Sequence, residues 1–207
     1  MRLTWSRRWI PAASTLALLL VGAVGALGAS SALAQVQAGA QMAPPAAQGS
    51  TLTFWTESNR LKLRVRLPVK DLVVAAPSVD SLNEAAAPYE LSLLERLSVA
   101  RYLISHLDLT KGRTRLSLTL EDAVLHVADK DLGPLSLLDV ELTASLPRGG
   151  RIFPLTLVYD AVMHEVRDHR ATVYWQPQGM PAQQLAEFGY RTFNAEPRPV
   201  ILNMPEK

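Results

Sequence analysis

The alternation of apolar and basic residues in "LKLRVRL", residues 61–67, constrains the fold of this chain more than any other feature. Successive side chains of a strand point to opposite faces, so the leucines and the valine share one face. The basic residues share the other, which predicts a half-buried strand with a solvated face. That basic face could also contact an acidic partner or anionic headgroups; its members are Arg60, Lys62, Arg64 and Arg66.

The same alternation recurs in four later segments, residues 115–121, 138–146, 153–159 and 171–175. Strands with one solvated face are typical of antiparallel sheets. With one strand around His126 and a final strand expected near residues 199–203, we predict about seven strands. The predicted fold class is therefore mainly β (α+β), an antiparallel β-sandwich with one inserted amphipathic helix.

That helix is predicted near residues 89–107, where apolar residues recur at spacings of three and four. An S-x-x-E pattern at Ser81 and Glu84 resembles a capping box, so a short turn of helix is expected before the main one. In the Pro-broken tail we expect at most a short helix near residues 181–189. The apolar stripe of the main helix consists of Leu93, Leu97, Ala100, Ile104 and Leu107.

The first 34 residues have the features of a secretory signal peptide: a basic start, an apolar middle and the small-residue motif Ala32-Leu33-Ala34. We predict a cut after Ala34, export to the periplasm, a disordered linker at 35–50 and a single domain at 51–207. An uncleaved anchor helix is the alternative. The stretch "SRRWI" also partly resembles a twin-arginine export signal.

Charge and cysteine content exclude several functions. Removing the predicted leader leaves 18 basic and 19 acidic side chains, so no concentrated basic footprint for nucleic acid is expected. The chain has no cysteine, which excludes disulfides, thiol catalysis and thiolate metal sites. No second apolar run approaches the ~20 residues that cross a bilayer, so no transmembrane segment is predicted after the leader.

Three passages, in order, resemble the exported N-terminal domain of HupE/UreJ-type membrane proteins: residues 61–72, 100–118 and 155–175. The resemblance implies that domain's fold, an important "DHR" motif at 168–170, and a position ahead of a polytopic membrane domain. It also implies a loose association with nickel supply. Two departures weaken a metal role: the membrane domain is absent, and residues 77–88 lack the ligands of a calcium loop.

Residues 153–175, "FPLTLVYDAVMHEVRDHRATVYW", contain the densest group of candidate site residues. We predict a β-hairpin whose strands, 153–160 and 170–176, flank a polar turn at 161–169. Aspartates of such a turn can accept hydrogen bonds from its amides, and an aspartate or histidine can bind the following arginine. The residues predicted to form the turn or to contact a partner are Asp160, Asp168, His169 and Arg170.

A transition-metal site is the alternative interpretation, since imidazole and carboxylate groups are ligands for Ni, Cu or Zn. On an extended strand the five-residue offset places the two histidines on opposite faces, so only a tight loop could bring them together. The candidate ligands are His164, Glu165, Asp168 and His169. Of the other histidines, His106 is expected to cap or pack at the helix end, and His126 to lie on a solvated strand face.

No nucleophile motif of the G-x-S-x-G type is present, and "HEVRDH" has one residue too many for H-E-x-x-H. We therefore predict no enzyme and no cofactor. The expected function is an exported periplasmic accessory domain that contacts an envelope or membrane protein through a sheet edge or the 161–170 loop. The alternative is a periplasmic module that binds a transition metal through His164 and His169.

Overall fold

A computed structural model of the chain describes residues 49–85, 89–127, 136–147, 151–189 and 197–205. The predicted leader and most of the predicted linker lie outside these residues. Within them the protein is mainly β, as predicted, with two sheets arranged roughly as a sandwich. The strands are β1 Gly49–Glu57, β2 Arg60–Pro68, β3 Tyr89–Glu90, β4 Leu107–Lys111, β5 Thr114–Arg115, β6 Leu118–Val127, β7 Ser136–Ser145, β8 Leu155–Tyr159, β9 Arg170–Trp175, β10 Gln183–Phe188 and β11 Val200–Leu202.

One sheet has seven strands in the order β10-β9-β1-β2-β7-β6-β3, and the other has four in the order β11-β8-β4-β5. The prediction of a purely antiparallel sandwich is wrong at one pairing, because β1 runs parallel to β9. The predicted hairpin is also wrong, since β8 and β9 belong to different sheets. Residues 160–169 connect one sheet to the other, so β9 does not pair with β8.

The alternation that defines β2 is confirmed: its leucines and valine are almost fully buried in the core. Burial of each such side chain stabilises the fold by about 1.5–3 kcal/mol. The opposite face lies against acidic neighbours, with Arg64 paired to Glu141 and Arg66 to Asp139 in the β2–β7 register. The basic face is thus part of a charged ladder across strands rather than a free positive surface.

Strand β1 is not among the predicted strands, and the predicted linker at 35–50 includes its first residues, Gly49 and Ser50. It lies between β9 and β2, and the alternation of polar and apolar residues in its sequence extends only over Thr51-Leu52-Thr53-Phe54, too few residues to predict the strand. Gly49 permits the close approach of β9: a Cβ atom there would lie 2.3 Å from the carbonyl oxygen of Arg170.

Three helical segments occur in the described residues rather than one: α1 Val69–Ala75, a 3₁₀ helix Pro77–Asn83, and α2 Leu93–Ser105. The 3₁₀ helix confirms the expected short turn before the main helix. The capping box of α2 consists of Ser92 and Glu95, not Ser81 and Glu84. The hydroxyl of Ser81 instead donates to the Glu95 carboxylate at 3.0 Å, which joins the 3₁₀ helix to the start of α2.

Two predictions about helices are wrong. The stripe on α2 is not wholly buried: its core-facing residues are Val99, Ala100 and Leu103, while Leu93 and Leu97 face solvent. Residues 183–188 form strand β10 rather than a helix, because they pair with β9 at the sheet edge. The final strand is confirmed as β11. No helix in the described ranges has the length and apolar character needed to cross a bilayer.

Candidate functional site

The segment 160–169 is an anchored crossing between the two sheets, not the surface turn that the sequence suggested. Ala161, Val162 and Met163 are fully buried. Val162 has a φ of 68°, a conformation that costs a β-branched residue about 1–3 kcal/mol. Its backbone N–H donates to the hydroxyl of Tyr102 on α2 at 2.8 Å, which holds the strained residue in place.

His169, the central residue of the "DHR" motif, is only 1% exposed. Its Nδ1 atom lies 2.9 Å from Oδ2 of Asp71 on α1, and its Nε2 atom lies 2.7 Å from Oγ of Ser50 on β1. A neutral ring protonated at Nδ1 satisfies both contacts: it donates to the carboxylate and accepts from the hydroxyl. We call Ser50, His169 and Asp71 the His169 clamp; it joins β1, α1 and the start of β9.

The connectivity of the His169 clamp is that of a hydrolytic Ser-His-Asp triad, in which the imidazole links nucleophile and carboxylate. A substrate carbonyl would have to reach Ser50 Oγ, but Ser50 is only 2% exposed. Neither of the two surface clefts described below is lined by any clamp residue. In this conformation the clamp is therefore a buried polar network that satisfies its own donors and acceptors.

The hydroxyl of Tyr159 is enclosed in the same interior. Burial raises the pKa of Tyr159 well above its ordinary value. Tyr159 therefore stays neutral at physiological pH. Its hydroxyl oxygen has no hydrogen-bond partner among the described residues.

His164 meets His106 rather than His169. The two imidazole rings stack with centroids 4.5 Å apart and an interplanar angle of 4°. His106, the C-cap residue of α2, has its Nδ1 atom 2.8 Å from Oδ1 of Asp160, and its carbonyl oxygen accepts the Asp160 N–H at 3.1 Å. The expected position of His106 at the helix end is confirmed, with Asp160 as an additional partner.

Tyr102 completes this second cluster. Its ring lies 4.7 Å from that of His106, and burial raises its pKa to about 12. Together with the bond from Val162, these contacts fix the C-terminal half of α2 against the crossing segment.

The predicted metal ligands are not brought together. Both ring nitrogens of His169 are engaged, and Glu165 and Asp168 are exposed. In the described part of the chain, no group of three or more histidine and carboxylate side chains is arranged to hold a metal ion. Arg170 does not pair with Asp168 as suggested; its guanidinium donates to Glu187 on β10 at 3.1 Å. His126 is exposed on β6, as predicted.

The outer face of α2 presents an apolar patch that sequence reasoning missed. Leu93, Leu94 and Leu97 are 71%, 77% and 52% exposed. We call these three residues the α2 leucine face. Arg101 is also exposed and follows Leu97 by four residues, so it lies on the same side of the helix. The apolar spacing predicts the helix itself, but leucines at helical spacing do not reveal which side of the helix packs on the core.

Two open clefts mark the surface elsewhere. The first has a volume of about 260 Å³ and is lined by Thr53, Trp55, Thr56, Glu57, Arg64 and residues 176–179; we call it the Trp55 cleft. The second, of about 590 Å³, lies beside β5 and the end of β7. Its lining residues are Arg60, Thr114, Arg115, Leu116, Ser117, Thr119, Thr143, Ser145, Leu146 and Pro147.

No protein-family model matches this chain, and no curated protein is significantly similar to it in sequence.

Proposed function

We propose that this chain is an exported, non-enzymatic accessory domain that binds a protein partner of the cell envelope, and that the α2 leucine face is its docking surface. The observation that carries the proposal is the exposure of three neighbouring leucines on one helix. The features of residues 1–34 support export. The resemblance to a domain found ahead of a membrane domain supports a polytopic membrane protein as the partner.

The exposed leucines are costly to leave in water. Each would gain about 1.5–3 kcal/mol on full burial, so a partner that covers all three gains a substantial part of its binding free energy there. Contiguous exposed apolar patches on soluble domains commonly mark interaction sites. The patch lies on the solvent side of a helix whose other face is packed on the core, so covering it requires no rearrangement of that core.

The α2 leucine face is held in one geometry. Ser92 caps the helix, and Glu95 accepts hydrogen bonds from the Ser92 backbone and from the hydroxyls of Ser81 and Tyr89. Arg96 pairs with Asp122 on β6 at 3.1 Å. A surface ordered before binding loses less conformational entropy on association, which favours affinity.

The earlier candidate surface, the 161–170 loop, supports binding less well. Its apolar residues and His169 face the interior, so contacting a partner through them would expose core side chains. Its exposed residues include Glu165, Asp168 and Arg170. Exposed charges of this kind contribute little, because water and salt screen them.

Capture from detergent-solubilised envelopes tests the proposal. The full chain is compared with a variant carrying Leu93→Ser, Leu94→Ser and Leu97→Ser. The matched control is Ile201→Ser with Met204→Ser, which removes exposed apolar side chains elsewhere. We expect one membrane protein to be captured by the wild type and the control, and its affinity to fall at least about 30-fold in the leucine variant, the size expected of a hot spot. Equal capture by all three proteins would refute the docking surface.

A further inference from the structure

The Trp55 cleft lies at the end of the outer face of the seven-stranded sheet. Phe54 points into the core and is fully buried, so its neighbour Trp55 points outward. In the β1–β2 register Thr53 lies opposite Arg64, which places both side chains on the outer face. No residue of this cleft belongs to the α2 leucine face or the His169 clamp.

The wall of the cleft is a well-ordered turn. The backbone N–H of Gln176 donates to the carbonyl of Phe54 at 2.8 Å. This hydrogen bond holds the start of the turn, residues 176–179, next to β1. The N–H of Met180 donates to the carbonyl of Pro177 at 3.0 Å, and Gly179 adopts a φ of 72°, which suits glycine in such a turn. Gln176 and Gln178 are therefore held at the cleft by the backbone of their own turn.

The polar groups of the cleft are mixed in kind and nearly balanced in charge. The side chains of Arg64 and Glu57 are compensated by neighbours: Arg64 donates to Glu141 at 2.5 Å, and Glu57 lies 3.5 Å from the Lys62 ammonium group. The remaining polar lining consists of amide and hydroxyl groups, each able to donate and to accept. A strongly anionic ligand such as a phosphate would find no uncompensated cation here.

The cleft thus combines an aromatic side chain with neutral donors and acceptors in a volume suited to one or two small rings. A saccharide ring has complementary chemistry: its C–H face packs against an aromatic side chain, and its hydroxyl groups need both donors and acceptors. We propose that the Trp55 cleft binds an uncharged saccharide ring. The guanidinium carbon of Arg64 lies 5.4 Å from the centroid of the Trp55 ring, so Arg64 covers one face of that ring and the sugar packs against the other.

Tryptophan fluorescence tests this proposal. The full chain has four tryptophans, and Trp5→Phe with Trp9→Phe leaves only Trp55 and the buried Trp175. The probes are glucose, N-acetylglucosamine and its soluble tetramer, with triglycine and inorganic phosphate as non-saccharide probes. We expect a saturable change in emission for a saccharide, with a Kd on the order of 1 mM or lower. Stronger binding of the tetramer assigns the site to a glycan, and equal binding assigns it to free sugars.

In the same background, Gln176→Ala with Gln178→Ala should weaken saccharide binding at least tenfold without changing the unfolding temperature. The matched control is Gln183→Ala with Gln184→Ala, two glutamines of β10 that do not line the cleft, and it should bind as the parent does. Absence of saturation with every saccharide, unchanged binding in the Gln176/Gln178 variant, or saturation with triglycine or phosphate instead would overturn the proposal. The docking proposal for α2 survives each of these results, because the two sites share no residue.

Discussion

The Nδ1 atom of His169 lies 2.9 Å from Oδ2 of Asp71, although the two residues are 98 positions apart in the chain. The same imidazole contacts Ser50, which is 119 positions away. One side chain thus joins the first strand, the first helix and the strand that runs parallel to β1. We interpret the histidine of the "DHR" motif as a structural centre of the domain.

Replacing His169 by Ala should therefore destabilise the fold. The change leaves the buried Ser50 hydroxyl and the partly buried Asp71 carboxylate without their partner, at a cost of about 1–3 kcal/mol for each such group. We expect a loss of about 2–4 kcal/mol in the free energy of unfolding, measured by urea denaturation. His126→Ala, at an exposed histidine, serves as the control and should cost less than about 0.5 kcal/mol. Equal effects of the two substitutions would contradict a structural role for the clamp.

The Ser50 hydroxyl should not react as a catalytic nucleophile, despite its triad-like partners. A fluorophosphonate probe must reach Ser50 Oγ, which is enclosed in the folded protein. We expect no labelling of the native full chain under conditions that label a known serine hydrolase completely. Labelling that disappears in Ser50→Ala and in His169→Gln would show a functional triad, and the non-enzymatic part of the proposal would then be wrong.

The start of α2 should respond to acid through Glu95. Hydrogen bonding lowers the pKa of this carboxyl below 4.5, with the Ser92 side chain as the largest cause. Because the folded pKa is depressed, the contribution is fully present above pH 4.5 and is lost as pH falls through the lower folded value. Solvent screening limits it to less than about 1 kcal/mol.

The measurement is the free energy of unfolding as a function of pH for the wild type and Glu95→Gln. The difference between them should shrink as pH falls below 4.5. Glu84→Gln, at an exposed carboxylate, is the matched control. A wild-type advantage that stays constant down to pH 2.5 would exclude Glu95 as the titrating group.

Titration with Ni²⁺, Cu²⁺ and Zn²⁺ should show no binding tighter than about 100 µM. His164 and His169 do not converge, and His169 would have to break two buried hydrogen bonds to bind a metal ion. The nearly parallel rings of His106 and His164 direct their lone pairs side by side rather than toward one point. Tighter binding that is lost in His164→Ala but kept in His126→Ala would restore the metal-binding alternative.

The strands that the sequence predicts differ from those it misses in how clearly polar and apolar residues alternate along them. The alternation in β2 shows its inward face directly, because one side of that strand is polar. Strand β1 shows the same period only over Thr51-Leu52-Thr53-Phe54, and the outward-facing Trp55 next to Phe54 interrupts it. Phe188, inside the predicted tail helix, is buried on β10, where pairing with β9 is a long-range contact that local propensity cannot reveal.

The candidate site was harder to predict than the fold. The sequence indicates the "DHR" residues, but the partners of His169 are Ser50 and Asp71, far away in the chain. Because β8 and β9 lie in different sheets, His169 is buried rather than part of an exposed turn. The α2 leucine face was hidden for a related reason: apolar spacing indicates a helix, and only the packing of Val99 and Leu103 shows which side is buried.

Photo-crosslinking in living cells tests the central claim most directly. A photoreactive amino acid is placed at Leu94, and in a matched strain at Ile201, which is also apolar and exposed. We predict that ultraviolet light joins the Leu94 protein to one envelope protein, that Leu93→Ser with Leu97→Ser abolishes the adduct, and that Ile201 gives none. An adduct of equal yield from both positions, or none from Leu94 in cells that export the protein, would contradict docking through α2.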